Sequence, residues 1–274
     1  MEKNKTLLKK SDLERLAAFV KKEFGISFDE QKLSRFAKKI ETLMHKHGIE
    51  DFNVLYHKVR YGKDEVLLQE LINTVTINET YFWREDAQFS ILANEILPKI
   101  AKTKRNIRIL VAPTSSGEEL YSIMFAIMEE KKVIERCNVE MVGIDIDSSV
   151  IRKAKIGLYT RRSVEKLPKR MLEKYFKKVG DYYKLDDFFI QNAKFMQANI
   201  FDESLIERLG RFDIIFSRNM LIYFDKAEKK KVFEIFLKLL YPGGYLFLGH
   251  ADANGIDKTA FKPVRSGFQI YKRV

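Results

Sequence analysis

Five short apolar runs, Ile107 to Ala112, Val139 to Ile144, Phe195 to Ala198, Phe212 to Phe216 and Tyr245 to Leu248, recur between stretches of helical rhythm from Phe89 onward. Such runs, each followed by a helical period, mark a parallel sheet with covering helices. The chain before Asn73 contains no such run and reads as helices only. There Ser11-Asp12-Leu13-Glu14 has the capping-box pattern, and Leu13, Leu16, Ala17, Val20 and Phe24 repeat at helical spacing until Gly25. A second box, Ser27-Phe28-Asp29-Glu30, opens a helix whose Leu33, Phe36, Ala37, Ile40, Leu43 and Met44 share one side. The pattern predicts an α/β protein with a small all-α helical domain over residues 1–73, a linker over 74–88, and a Rossmann-like domain over 89–274. Between Tyr175 and Asn199 the rhythm gives way to closely spaced tyrosine, lysine, aspartate and phenylalanine around Gly180, which predicts a small antiparallel β insert at about 176–194.

Other properties bound the function. No run approaches the roughly eighteen apolar residues of a membrane span, and Met1 to Lys10 lacks the apolar stretch of a secretory signal, so the expectation is a soluble, cytoplasmic protein without membrane insertion. A lone Cys137 cannot form an internal disulfide and reads as a packing residue in a reducing compartment. The net charge of +12 calls for an anionic partner, whether nucleic acid, membrane surface or acidic protein. No arginine-rich tract, zinc-finger spacing or RNP-like aromatic motif supports nucleic-acid readout. On the second helix Lys32, Arg35, Lys39 and Lys46 form a stripe that could grip an acidic helix or be an ordinary solvated face. Met1 to Asn73 hold 15 Lys and Arg against 12 Asp and Glu, a surplus of only three. Lys229-Lys230-Lys231 reads as the solvated face of a helix that turns Val232, Phe233, Phe236 and Leu240 inward. His45 and His47 point to different sides of their helix, and no metal is expected.

The chemistry-bearing residues fall where the predicted strands end, which is where open α/β sheets bind ligands. After the first strand, Ala112-Pro113-Thr114-Ser115-Ser116-Gly117-Glu118-Glu119 lets a ligand approach the backbone. One glycine is not a dinucleotide fingerprint, and two glutamates argue against phosphate. A carboxylate here suits a hydroxyl or an ammonium group, although one of the pair could simply complement the helix macrodipole. The second strand ends in Asp145-Ile146-Asp147. Asp145 is placed for ribose hydroxyls, and Asp147 for capping the next helix. A third strand brings Asn199 and Ile200, with the amide suited to a base edge, and the run Phe212 to Phe216 ends in Ser217-Arg218-Asn219. Acidic loop, second-strand aspartate and third-strand asparagine without a phosphate loop suggest S-adenosylmethionine. Pro242-Gly243-Gly244 reads as a turn.

These residues resemble the chemotaxis receptor methyltransferases, the CheR family. The resemblance is carried by Asn78-Glu79-Thr80-Tyr81-Phe82-Trp83-Arg84-Glu85, Ser116-Gly117-Glu118-Glu119 before Tyr121-Ser122, Asp145-Ile146-Asp147, Asn199-Ile200, and Ser217-Arg218-Asn219-Met220-Leu221-Ile222-Tyr223-Phe224-Asp225. It implies a bacterial protein-glutamate O-methyltransferase with a helical domain for receptor recognition, an S-adenosylmethionine-binding domain and a linker that adds cofactor contacts. The product would be S-adenosylhomocysteine and the partners acidic methylation helices of transmembrane receptors. By motif, Asn78, Thr80, Arg84, Glu119, Asp145, Asn199, Ile200, Arg218 and Asn219 would contact the cofactor, and Arg84 and Tyr223 would face the glutamate. Asp252 stands where family members usually carry glutamate, and Pro113 is an unusual neighbour in the first loop. The short insert suggests recognition without a receptor-tail pentapeptide tether. Two rival readings are a non-catalytic receptor-binding or cofactor-sensing module and a nucleic-acid methyltransferase. The latter needs two prolines and an aromatic after Asn219, where this chain has Met220-Leu221-Ile222.

Overall fold

The computed structural model describes residues 8–28, 30–62, 64–130 and 136–274, the side chains of 30–32 excepted. The chain forms two compact units, one of residues up to Ile77 with Tyr223–Glu228, the other of Asn78–Ile222 with Lys229–Val274.

The first unit is helical: α1 Lys10–Phe24, α2 Glu30–Lys46, α3 Phe52–Arg60 and α4 Glu65–Val75. Leu16, Val20, Ile40, Leu55 and Leu71 have no or almost no exposed surface and form its core. Gly25 ends α1 in the left-handed conformation at φ 73°, with its amide on Lys21 O, as its place after the apolar repeat predicts. Neither predicted capping box forms. α1 starts one residue ahead of Ser11, and Asp12 reaches back to the Lys9 amide at 3.3 Å. The Ser27 hydroxyl is buried without a hydrogen-bond partner, while its amide donates to Tyr223 O at 3.3 Å. Asp29 lies outside the described residues. Capping here is done by Asp51 and Asp64, whose carboxylates accept from the amides of Asn53 and Leu67.

The second unit opens with α5 Asp86–Ile91, a π-helical turn Leu92–Ile96 and α6 Leu97–Ile100. It is built on a seven-stranded sheet in the order β6-β2-β1-β7-β8-β10-β9, comprising Ala193–Gln197, Asn138–Asp145, Asn106–Val111, Phe212–Ser217, Leu240–Leu248, Ile270–Arg273 and Phe261–Pro263. The first five are parallel; β10 runs antiparallel to β8. β7 is buried at all six positions and β1 at four of six, which explains why they read as continuous apolar runs rather than alternations. The register aligns Val111 with both Gly143 and Phe216, and Asp145 with Gln197, so four parallel strands finish at one edge. Strand order reverses between β1 and β7, and the crevice of such a sheet opens there.

A second sheet, β3-β5-β4, is antiparallel and consists of Leu158–Thr160, Tyr182–Leu185 and Phe176–Val179. The last two are the hairpin around Gly180; β3, lying before the predicted insert, carried no clear signal at three residues. Pro242-Gly243-Gly244 lies within the bounds of β8 rather than between elements. There the pairing with β7 shifts register between Phe212/Leu240 and Ile214/Tyr245, so the three residues form an irregularity in the strand.

Candidate active site

The β1 edge leads through a cis Ala112–Pro113 peptide into the turn Thr114–Gly117 and then α7, Glu118–Glu129. Gly117 adopts φ 93°, and a Cβ there would lie 2.9 Å from the Tyr121 ring. Gly143 on β2 lets the turn close down on the sheet, since a Cβ would meet Thr114 Oγ1 at 2.6 Å. The two glutamates of α7 divide their tasks. Glu118 points inward, 2 % exposed, and accepts from the Ser116 hydroxyl at 2.7 Å; burial pushes its carboxyl up. Glu119 keeps 13 % of its side chain exposed. Burial pushes its carboxyl up too, against the pull of the Arg218 guanidinium.

Asp145 and Asp147 separate in the same way. Asp147 caps the helix Ser148–Ile156, one oxygen taking the amides of Ser149 and Val150, while the other accepts from Asn78 Nδ2 at 2.6 Å. The Asn78 amide is thus fixed beside the end of β2. Asp145 uses one oxygen for the Ser115 amide, at 2.9 Å, and the other for the Asp147 amide, at 3.0 Å. A carboxylate oxygen has two lone pairs, so Asp145 keeps capacity to accept beyond these amides. Burial raises Asp145 to about 6. Asn199 follows β6 with its side-chain oxygen on the Phe201 amide at 3.0 Å, and Ile200 is buried beside it.

The stretch Asn78–Glu85 runs past the same edge. Phe82 is fully buried, its amide donates to Ser163 O at 2.9 Å, and the Trp83 amide donates to Ser122 Oγ at 3.0 Å. Trp83 and Glu85 take left-handed φ values of 65° and 54°, uncommon outside glycine. Thr80 is half-buried. Arg84, also half-buried, lies over the Tyr81 ring with its guanidinium carbon 5.5 Å from the centroid, and Nη1 donates to Glu79 O at 3.4 Å.

At the end of β7, Arg218 is enclosed, with 1 % of its side chain exposed. Its Nη2 donates to Arg84 O at 2.7 Å, Nε lies 3.0 Å from Glu119 Oε1, and Nη1 lies 3.8 Å from Glu85 Oε2. The Nε–H does not point at Glu119 Oε1, so the two form an ion pair without completing a hydrogen bond. The sequence suggests cofactor contact by Arg218; its side chain here meets two protein carboxylates and a carbonyl. Asn219, at φ 59°, starts the turn that passes through the 3-10 segment Leu221–Tyr223. Asp252, fully buried, holds this turn by accepting from the Asn219 and Ile222 amides, at 2.5 and 3.2 Å; burial pushes its carboxyl up. Gly249 leaves room for it: a Cβ there would sit 2.5 Å from Asp252 Oδ2. The sequence marks Asp252 only as a departure, because its partners lie some thirty residues away.

Tyr223, half-buried, ends the 3-10 segment and belongs by its contacts to the helical unit. In that unit the basic stripe is partly engaged. Lys39 Nζ donates to Thr74 O at 2.6 Å and Lys46 pairs with Glu70 at 2.6 Å, so two of its cations tie α2 to α4. Arg35 is exposed, and the side chain of Lys32 lies outside the described residues. The predicted surface is therefore less cationic than a helical projection suggests. Among the described residues no three His, Cys, Asp or Glu gather as metal ligands, and no helix is long and apolar enough to cross a membrane.

A 3-2-1-4-5-7-6 sheet in the order in which its strands enter, with an antiparallel seventh strand and acidic residues on the segments that follow the first two, is a doubly wound α/β fold, and the match to a SAM-binding domain makes it an S-adenosylmethionine-dependent methyltransferase domain. Residues 78–269 match the family described as CheR methyltransferase, SAM binding domain, and residues 11–76 match CheR methyltransferase, all-alpha domain. The chain belongs to the CheR family, and so is a chemotaxis protein methyltransferase that esterifies protein glutamates from S-adenosylmethionine. Among its relatives, chemotaxis protein methyltransferase 2 of Vibrio cholerae is 35 % identical over 98 % of this chain and 95 % of that one. The chemotaxis protein methyltransferase of Campylobacter jejuni is 36 % identical over 90 % of each.

Proposed function

We propose that this chain methylates glutamates on the acidic helices of transmembrane chemotaxis receptors from the cytoplasmic side, through a crevice at the β1, β2, β6 and β7 ends. The observation that carries the site assignment is the convergence of polar groups at these strand ends: the Thr114 and Ser217 hydroxyls, buried without hydrogen-bond partners, beside the buried charged cluster of Glu85, Glu119 and Arg218. Buried polar groups ordinarily find partners, so two open hydroxyls beside charged side chains suit a polar ligand. Asp145 would take the ribose hydroxyls, Asn199 and Ile200 the base, and Glu119 the ammonium. Asn78, Thr80, Arg84, Arg218 and Asn219 would complete the enclosure.

Bound S-adenosylmethionine supplies an electrophilic methyl group on a sulfonium. A glutamate near its ordinary pKa of about 4.3 arrives deprotonated, so the chain needs no general base. Anion and cation become two neutral products, which favours a dry, aligned site over water. Arg84 and Tyr223 are proposed to meet the incoming carboxylate, and too firm a grip by Arg84 would quench the nucleophile. Arg84→Ala is expected to lower kcat by roughly 100-fold while raising the cofactor Kd less than tenfold. Equal loss in both, with turnover restored at saturating cofactor, would reassign Arg84 to cofactor binding alone.

The exposed part of the basic stripe, with Arg35 at its centre, is proposed to meet the receptor helix, and Lys32, Lys39 and Lys46 to contribute to the field around it. The insert sheet has strands of only three and four residues, which supports recognition without a receptor-tail tether. A carboxy-terminal pentapeptide of the organism's receptors is expected to give no calorimetric signal at micromolar concentration; tight binding would refute this. The function itself is tested by transfer of radiolabelled methyl groups to receptor-containing membranes followed by mild base. Label released as methanol marks a glutamyl ester; base-stable label, or none, overturns the reading.

A further inference from the structure

The net charge of +12 is unevenly spread along the chain. Residues 152–187, from within the helix Ser148–Ile156 to just past the insert sheet, hold 12 Lys and Arg against 5 Asp and Glu, a surplus of seven; residues 1–73 have a surplus of only three. Two further carboxylates lean on the stretch: Glu79 pairs with Arg162 at 2.7 Å, and Glu129 pairs with Arg170 and Lys174, the latter at 2.7 Å. Counting both still leaves a surplus of five. Arg152, Lys155, Arg161, Lys166, Lys177 and Lys178 are exposed and form no ion pair among the described residues. The insert sheet keeps part of this charge together and outward. Lys177 on β4 and Leu158 on β3 both stand opposite Lys184 on β5, so two lysines face each other directly across the sheet. Like charges so placed are unfavourable, and Asp187, 3.3 Å from Lys184, offsets only one of them. An ordinary solvated surface interleaves both signs. The opposite face of the sheet turns Tyr159, Phe176 and Leu185 into the core. At its near end the basic surface adjoins the stretch that carries Arg84: Ser163 O accepts from the Phe82 amide at 2.9 Å, and Arg162 holds Glu79.

We propose that this surface receives the carboxylates that flank the target glutamate, and thereby favours receptor segments whose neighbouring glutamates are still unesterified. This rests on the function proposed above. A segment that offers several glutamates for esterification is anionic, and the surface has the opposite sign. Each transfer turns a carboxylate into a neutral ester, so every methyl group already placed nearby removes one charge that the surface attracts. Exposed charges act over about 8 Å at physiological salt, which limits the effect to glutamates within a turn or two of the target on a helix. The surface therefore acts on substrate selection, through KM, and leaves the methyl-transfer step itself to the crevice.

The test compares cytoplasmic receptor fragments in two forms, one with glutamates flanking the target and one with glutamines there, glutamine being a neutral stand-in for the ester. Wild type is expected to show a roughly tenfold higher KM for the glutamine-flanked form, with kcat within about twofold and a difference that shrinks at high salt. A full-length triple variant, Arg161→Gln with Lys177→Gln and Lys178→Gln, should raise KM for the glutamate-flanked form towards that level and lose the discrimination. Its affinity for S-adenosylhomocysteine should stay within about twofold of wild type, because separated sites act independently, and this also reports an intact fold. Equal wild-type KM for the two forms, or discrimination retained by the triple variant, overturns the proposal. So does loss by the variant of binding to phosphatidylglycerol vesicles with both KM values unchanged, which would give the surface to an anionic bilayer. Failure of wild type to methylate either form as a base-labile ester overturns the function reading instead.

Discussion

Asp145→Ala is expected to weaken S-adenosylhomocysteine and methylthioadenosine alike, on the order of a hundredfold, because both carry the ribose that Asp145 is set to receive. Hydrogen bonds to a charged acceptor are worth about 1.5–3 kcal/mol each, and one to two of them are at stake. The same residue predicts a pH dependence with two opposite signs. Burial raises its carboxyl to about 6, the amides of Asp147 and Ser115 pulling the other way. Only the ionised form accepts fully from two hydroxyls, so affinity should be flat above about pH 7 and fall by up to tenfold per unit below about pH 6. Folding stability moves the other way. Unfolded, the carboxyl titrates near 3.9; folded, it keeps its proton up to about 6. The folded state therefore binds more protons across that window, and this group's contribution to stability rises as pH falls from about 6 to about 4. Asp145→Asn should remove both slopes. Calorimetry across the acid range, with urea unfolding of the unliganded protein alongside, checks them; a pH-independent affinity in wild type would take Asp145 out of the cofactor site.

The central sheet was legible because its strands are buried on both faces. A strand such as Phe212–Ser217, covered on every side, has to be apolar throughout, and that is visible in one dimension. Asp147 as helix cap was legible for a similar reason: its partners, Ser149 and Val150, lie two and three residues away. The edge strands β9 and β10 were not, being three and four residues long and defined by pairing with partners distant in sequence. Long-range partners also account for the site features that the sequence hides. Lys39 and Lys46 look like a free stripe on a helical projection, but Thr74 O and Glu70 come from α4 and engage them. Asp252 looks like a lost glutamate until its two amide donors are in place. Glu85 follows an arginine in a polar stretch, and nothing in its neighbours says that Arg218, 133 residues later, lies beside it.

The Asn78–Glu85 motif is anchored in the core by the Phe82 ring, and the largest stability effect is expected there. Phe82 is fully buried among Phe125, Tyr159 and Phe176, with ring centroids at 5.8, 4.7 and 5.2 Å, the first stacked and the others edge-on. Phe125 belongs to α7, Tyr159 to β3 and Phe176 to β4, so one ring joins the motif to both the glutamate-bearing helix and the insert sheet. Phe82→Ala should cost about 3–5 kcal/mol, combining lost transfer energy with a cavity that three rigid rings cannot collapse into. Urea unfolding measures this directly. Phe82→Leu separates stability from function. It retains most of the volume and should cost less than about 1.5 kcal/mol, leaving the protein folded. The ring's edge-on contacts are nonetheless gone, and with them the register of Thr80, Arg84 and Glu85 against the strand ends. Because a displacement of about 1 Å at a reacting centre can cost a hundredfold in rate, Phe82→Leu should lose far more turnover than stability. Wild-type turnover in a folded Phe82→Leu protein would mean that the two backbone hydrogen bonds, from Phe82 to Ser163 O and from Trp83 to Ser122 Oγ, hold the motif without the ring.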